Sequence, residues 1–306
     1  MQVFWEIWHT PLFRNALLAG VAVGTICSLL SVIVVLKRMA FIGEGIAHAG
    51  FGGMGTALFL GLTTGGMGGA WKADLVVLAF CLATALAIGV LSRRRHVEAD
   101  SAIGILLVAA MAWGVLLTDL HRSLRHTDWY VRMFGNTRPP PNIESLLFGS
   151  LLNVGPYDVW LAVGAATVVL LVFAGLFKEI IFYAFQETVS QVFGVRVAFI
   201  HYLMLTLLSV TIVLTVRLAG IVLVTALLVI PGATANLLSR RLSRVLLLSW
   251  LVGMTGVVGG LILSMEAGNL STGPCIVAVL CVVFALAYLL QFWPALRMSA
   301  VDAPSK

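Results

Sequence analysis

Nine long apolar runs constrain the fold of this chain more than any other feature of its sequence. Each approaches or exceeds the roughly 20 residues that a helix needs to cross a membrane. In lipid the backbone polar groups must be satisfied within the segment, so the runs predict helices rather than open strands. They cover residues 15–36, 41–62, 75–91, 102–118, 159–177, 197–216, 218–238, 245–265 and 274–293.

The composition agrees with an all-α, polytopic membrane helical bundle of about nine transmembrane helices. Only 10% of the 306 residues are charged and 60% are hydrophobic, whereas a soluble domain has about 25% charged residues. We therefore predict a single transmembrane domain, residues 1–306, embedded in the lipid bilayer. The net charge of +6 does not indicate a nucleic-acid partner, because the basic residues stand in short loops between apolar runs.

The distribution of Lys and Arg predicts an extracytoplasmic N-terminus, with the more basic short loops in the cytoplasm. Two connections are longer than a turn. The predicted extracytoplasmic loop, about 119–158, contains three consecutive prolines and a segment too short to span, which indicates a re-entrant or surface helix. The predicted cytoplasmic coupling segment, about 178–196, has helical periodicity and either docks a soluble partner or lies at the membrane interface.

Three ionisable residues interrupt the predicted spans, namely Glu44, His48 and His201. Such residues are costly in lipid and usually face a partner, a cavity or a substrate. Glu44 and His48 are four residues apart, which places them one turn apart on one helix face. The pair suits a divalent transition metal or a proton site, and a Glu–His hydrogen bond that only joins helices is the structural alternative. His201, near the start of its run, is expected at the membrane interface.

The chain carries no enzyme signature that we recognise. HExxH, GxSxG and Walker A motifs are absent from the sequence. We therefore predict a transport subunit rather than an enzyme, so that any ATP hydrolysis would reside in a separate partner. Two ligands do not complete a tetrahedral metal site, and the others would come from another helix, another subunit or water.

Five segments, in order along nearly the whole chain, resemble the membrane permease of ABC importers for manganese, zinc or iron. The first is similar to a family segment in which an acidic residue stands four positions before a histidine. The segments are VVLKRMAFIGEGIAHAGFGG (34–53), EADSAIGI (98–105), LLFGSLLNV (146–154), GIVLVTALLVIPGATANLLSRR (220–241) and LSTGPCIV (270–277).

The resemblance implies a permease that forms the translocation path as a homodimer or heterodimer in a bacterial cell membrane. It further implies cytoplasmic ATP-binding subunits and an extracytoplasmic metal-binding protein that delivers Mn, Zn or Fe. No permanent cofactor is implied, because the divalent metal is the transported substrate. By the same resemblance Glu44 and His48 are metal ligands, and a coupling helix covers about 186–195. The residues expected to couple to the ATPase are Phe185, Glu187, Ser190 and Gly194.

Two positions depart from the family pattern. Glu44 stands where the family usually has aspartate, which changes the reach of the ligand, and Gln186 and Glu187 follow Phe185 where the family usually has Asp-Pro. Besides a non-transporting membrane scaffold, two other transport functions stay open. One is a permease for a chelated metal or a vitamin, which needs no bare-metal ligands. The other is a proton-coupled secondary transporter in which Glu44 and His48 relay protons.

Overall fold

A computed structural model describes residues 11–62, 66–93, 98–124, 126–127, 130, 132, 149, 151, 154–185, 196–266 and 270–301. Within these ranges the protein forms ten helices and no strand, which confirms the predicted all-α fold. In chain order the helices are α1 (Pro11–Leu36), α2 (Ala40–Phe59), α3 (Gly66–Arg93), α4 (Ala99–Leu124), α5 (Pro156–Gly175), α6 (Phe177–Phe185), α7 (Val197–Ala219), α8 (Ile221–Leu238), α9 (Leu242–Glu266) and α10 (Thr272–Val301).

Eight of the described helices are long and apolar enough to cross a membrane, namely α1, α3, α4, α5, α7, α8, α9 and α10. They correspond to eight of the nine predicted runs, and the ninth run is α2. This helix is long enough to span but is not among those eight, because its six glycines together with Glu44 and His48 lower its hydropathy. Most of its residues are buried, and it packs against α3, α4, α7 and α8. The chain is therefore a multi-pass membrane bundle in which α2, the helix with Glu44 and His48, is largely buried.

Glycines let α2 approach its neighbours closely. A Cβ atom at Gly53 would lie 2.8 Å from the Cα atom of Val77 on α3. One at Gly55 would lie 2.5 Å from the carbonyl oxygen of Gly114 on α4. Backbone therefore packs on backbone, as is common between membrane helices, and the glycines fix how close α2 comes to α3 and α4.

A serine of α1 supports a proline in α8. Pro231 lies inside α8 and has no backbone N–H to donate. The Oγ atom of Ser31 accepts a hydrogen bond from the Gly232 N–H at 2.8 Å and donates one to the carbonyl of Val229 at 3.3 Å. These bonds satisfy backbone groups beside the proline from a neighbouring helix, as membrane proteins require.

Some helix ends differ from the ends that hydropathy predicts. α4 continues to Leu124, six residues past the apolar run, and a pair between Arg122 and Asp119 at 3.3 Å supports its last turns. A single residue, Leu176, separates α5 from α6, and α6 forms the first part of the predicted cytoplasmic segment. Gly220 alone separates α7 from α8 and has a φ of 82°, a left-handed value that favours glycine.

Candidate metal site

A left-handed turn precedes the helix that carries the predicted ligands. Arg38 has a φ of 56° and Met39 is the N-cap of α2. Glu44 and His48 follow Ala40 by four and eight residues, which is about 6 and 12 Å along a helix about 30 Å long. Both side chains therefore belong to the half of α2 that is nearest the predicted cytoplasmic side.

The carboxylate and the imidazole lie on one face of α2, as their spacing predicts. The Nε2 atom of His48 is 4.0 Å from the Oε1 atom of Glu44. The side chain of Glu44 is 46% exposed and that of His48 is 20% exposed. Nδ1 of His48 is buried and has no hydrogen-bond partner among the described residues. The two side chains therefore have oxygen and nitrogen atoms that can bind a ligand.

The separation of the two donor atoms is close to what a metal requires. Metal–ligand bonds of about 2.1 Å in tetrahedral geometry place two donors about 3.4 Å apart. Rotation of the side chains can close the gap from the observed 4.0 Å. In the described part of the chain, no group of three or more His, Cys, Asp or Glu side chains could hold a metal ion. Any remaining ligands would come from water, from a second chain or from residues outside the described ranges.

Helix α4 covers the outer half of the face on which Glu44 and His48 lie. Residues 44, 48, 51 and 55 fall on one side of a helix. Phe51 packs against α4 so closely that a Cβ atom on Gly114 would lie 2.5 Å from its ring. On the cytoplasmic side of this contact, the side chain of Glu44 is not covered by α4 and is 46% exposed. A charged residue that faces lipid within a span costs about 2.5–3.5 kcal/mol or more. The open part of the face therefore requires a protein partner or a water-filled path.

Tyr130 secures the other end of α2. Its hydroxyl donates a hydrogen bond at 2.7 Å to the carbonyl of Phe59, the last residue of α2, and lies 2.9 Å from Nδ1 of His121. Because the hydroxyl hydrogen is used for Phe59, Nδ1 of His121 donates the second bond. An ordinary tyrosine is already protonated at neutral pH, and burial raises the pKa of Tyr130 further, so its hydroxyl remains a donor at mildly alkaline pH as well.

An ion-pair cluster that the hydropathy analysis missed joins three helices. Arg217 of α7 pairs with Asp74 of α3, and its Nη2 atom lies 2.8 Å from Oδ1 of Asp158 on α5. The other oxygen of Asp158 accepts the Gly155 N–H at 3.2 Å. All three charged residues directly flank apolar runs at ends predicted to lie outside. The sequence did contain a signal for this cluster, namely opposite charges at the ends of apolar runs that are predicted to lie on the same side of the membrane.

A cavity of about 110 Å³ lies between this cluster and α2. Its walls include Gly50, Phe51 and Met54 of α2 together with Asp74 and Arg217. Gly50 is two residues from His48 in the sequence. The cavity therefore connects the ionic cluster to the helix that carries the predicted metal ligands.

His201 and Phe185, the other candidate residues that the structure describes, lie at the opposite end of the bundle from the Arg217 cluster. His201 is one turn inside α7, and its Nδ1 atom shares a hydrogen bond of 2.7 Å with the hydroxyl of Tyr183 on α6. Phe185 ends α6 and is 61% exposed. Glu187, Ser190 and Gly194 lie outside the described residues, so their contact with an ATPase stays a prediction.

Comparison with known proteins relates the whole chain to one family. The family model of the ABC 3 transport family matches residues 9–291. The manganese transport system membrane protein MntC of Halalkalibacterium halodurans is 32% identical over 306 residues, which cover 95% of this chain and 94% of that protein. The chelated iron transport system membrane protein YfeD of Yersinia pestis is 29% identical, with 92% and 86% covered.

Two solved structures share the fold. A chain of PsaBC from Streptococcus pneumoniae in complex with Fab has a TM-score of 0.76 and 25% identity, and 94% of each chain is covered. A metal-chelate type ABC transporter in an inward-facing conformation has a TM-score of 0.62. Its identity is 16%, with 96% of this chain and 89% of that chain covered, so it supports the fold alone.

Proposed function

The chain belongs to the ABC 3 transport family, and we propose that it is the permease of an ATP-driven importer whose substrate is a divalent transition metal ion. The family match over residues 9–291 and the named manganese and iron relatives support this class of substrate. The protein is accordingly a transport subunit. We place it in a bacterial cell membrane, with the metal moving from the extracytoplasmic side to the cytoplasm.

The observation that carries the proposal is the partly exposed Glu44–His48 pair on a helix whose residues are mostly buried. An oxygen and a nitrogen donor 4.0 Å apart match the ligand preferences of first-row divalent metals. A path needs a site that binds strongly enough to admit the ion and weakly enough to release it. An incomplete set of two protein ligands meets that need better than a closed four-ligand site.

A second permease chain would complete the path. The half-exposed carboxylate of Glu44 needs a polar surface opposite it, because lipid solvates charge poorly. In a homodimer or heterodimer the equivalent face of the second chain would supply that surface, with water filling the space between. A metal ion between the two faces would then take ligands from both chains.

The importer would also need subunits for ATP hydrolysis and for metal delivery, which this chain would not provide. Its sequence has no Walker A motif, so cytoplasmic ATP-binding subunits would drive the cycle. An extracytoplasmic metal-binding protein would release the ion at the outer end. Phe185 at the end of α6, followed by Glu187, Ser190 and Gly194, would couple the permease to the ATPase.

Uptake in lipid vesicles that contain the permease, its ATP-binding subunits and the metal-binding protein tests the proposal. We expect Glu44→Gln and His48→Ala each to lower uptake of radioactive manganese, zinc or iron by at least about ten-fold, a loss typical of a weakened metal site. Glu266→Gln and His126→Ala, which change exposed residues, are the matched controls. Full uptake in both site variants would refute the site, and uptake without the ATPase would favour a proton-coupled transporter.

A further inference from the structure

Tyr183 stands at a junction of three elements on the predicted cytoplasmic side. It belongs to the short helix α6 and is 1% exposed. Its hydroxyl shares a 2.7 Å hydrogen bond with Nδ1 of His201 on α7. The ammonium group of Lys37, just after α1, lies 4.0 Å from the centroid of its ring. One buried side chain therefore joins α6 to the end of α1 and to the start of α7.

The two contacts are of different kinds and are both directional. The hydrogen bond to His201 fixes the hydroxyl end of Tyr183, and the two rings are 6.1 Å apart in an edge-on arrangement. The ammonium of Lys37 sits over the ring face, where the aromatic quadrupole attracts a cation. A displacement of α6 cannot leave both contacts intact unless α1 and α7 move with it.

A short and rigid turn connects Lys37 to the helix of the candidate metal site. The N–H groups of Lys37, Arg38 and Met39 all donate to carbonyls of the last turn of α1, at 2.9, 3.1 and 2.8 Å. α2 begins at Ala40, so three residues separate α1 from α2. A movement of Lys37 is therefore passed to the start of α2, and Glu44 lies only about one turn further along.

We propose that Tyr183 is a positioning residue that transmits movement of α6 to the turn before α2 and to the start of α7. This inference rests on the proposed function, because an ATP-binding subunit docked next to α6 would supply the movement. Tyr183 itself does not touch the metal. Its role is to couple the approach of the ATPase to the opening of the Glu44–His48 site.

The coupling ratio, manganese transported per ATP hydrolysed, is the quantity that distinguishes this role from simple packing. Tyr183→Phe keeps the ring over which Lys37 sits and removes the bond to His201, whereas Lys37→Met removes the cation. We expect each variant to lower the ratio by about five-fold, the factor that one interaction of ordinary strength provides, while the complex still assembles and hydrolyses ATP. The ratio is measured in lipid vesicles containing the full complex.

Two matched controls remove the same chemical groups elsewhere. Tyr157→Phe removes an exposed tyrosine hydroxyl at the start of α5, and Lys72→Met removes an ammonium that lies 5.8 Å from the ring of Trp71. Both should keep the wild-type ratio. If Tyr183→Phe and Lys37→Met also keep it, or if transport and ATP hydrolysis fall together with the amount of assembled complex, the inference is wrong. Failure of the wild-type complex to transport any of manganese, zinc and iron would instead refute the proposed function.

Discussion

The Nη2 atom of Arg217 lies 2.8 Å from the Oδ1 atom of Asp158, and the same guanidinium group also pairs with Asp74. The three side chains are only 24–33% exposed. Arg217→Gln would leave two carboxylates together without a cation. We expect it to lower the stability of the folded protein in detergent by about 1–3 kcal/mol, less than for a fully buried pair. Thermal unfolding measures this loss.

The pair between Arg122 and Asp119 is the control for that prediction. Its side chains are 62% and 64% exposed, and exposed pairs contribute less than about 1 kcal/mol. Arg122→Gln should therefore leave the unfolding temperature almost unchanged. Equal effects of Arg217→Gln and Arg122→Gln would show that the Arg217 cluster does not hold α3, α5 and α7 together.

The contact between α2 and α4 should tolerate no added methyl group. In Gly114→Ala the new Cβ atom would lie 2.5 Å from the ring of Phe51 and 2.7 Å from its carbonyl oxygen. Overpacking of this kind costs about 1–3 kcal/mol, and it should also push α2 away and reduce uptake. Gly104→Ala, on the same helix but with no atom within 4 Å of the new Cβ, should be neutral or slightly stabilising.

Removal of the Tyr130 hydroxyl should loosen the outer end of α2. Tyr130→Phe deletes the 2.7 Å bond to the Phe59 carbonyl and the 2.9 Å bond from His121. One such bond contributes about 0.5–1.5 kcal/mol, so amide hydrogen exchange in the last turn of α2 should accelerate several-fold. The exposed Tyr157→Phe change should leave that exchange rate as it is in the wild type, and equal protection in both variants would contradict the assignment.

The same hydroxyl gives a prediction for alkaline pH. Because burial raises the pKa of Tyr130 in the folded state, its contribution to stability is present below the ordinary tyrosine pKa of about 10. That contribution is lost as the pH rises through the folded value. Wild-type protein should therefore lose stability more steeply above pH about 10 than Tyr130→Phe, and parallel pH profiles of thermal unfolding would argue against a buried Tyr130.

Glu44→Asp tests the reach of the acidic ligand. The change shortens the side chain by one methylene and introduces the aspartate that the family resemblance leads us to expect at this position. We expect uptake to be retained, because a carboxylate remains one turn from His48, while the preference among manganese, zinc and iron changes. Competition uptake with pairs of metals measures that preference, and Glu44→Gln should transport none of them well. Loss of uptake in Glu44→Asp equal to that in Glu44→Gln would contradict this expectation.

Local sequence pattern predicted the parts of the fold that depend on neighbouring residues. All nine apolar runs correspond to helices, since apolar length alone requires a helix in lipid. The shared face of Glu44 and His48 followed from their spacing of four residues. The extension of α4 to Leu124 was not predicted, because hydropathy does not report helical turns that continue into water.

Contacts between distant segments could not be read from the sequence in the same way. The Arg217 cluster depends on how α3, α5 and α7 pack, although the expected positions of its charges at one membrane face were a usable signal. The bond between Tyr183 and His201 depends on the path of α6 after α5. His201 was expected only at the membrane interface, because nothing in the local pattern indicates its buried partner.

The central claim is that Glu44 and His48 bind the transported metal, and X-ray absorption of zinc held by the assembled complex tests it most directly. The complex of permease and ATP-binding subunits would be loaded without the metal-binding protein, so that only the membrane path contributes. We predict oxygen and nitrogen ligands with the scattering signature of imidazole, a signature that His48→Ala removes and Glu44→Gln weakens. The same amount of bound zinc with an unchanged spectrum in both variants would contradict the account.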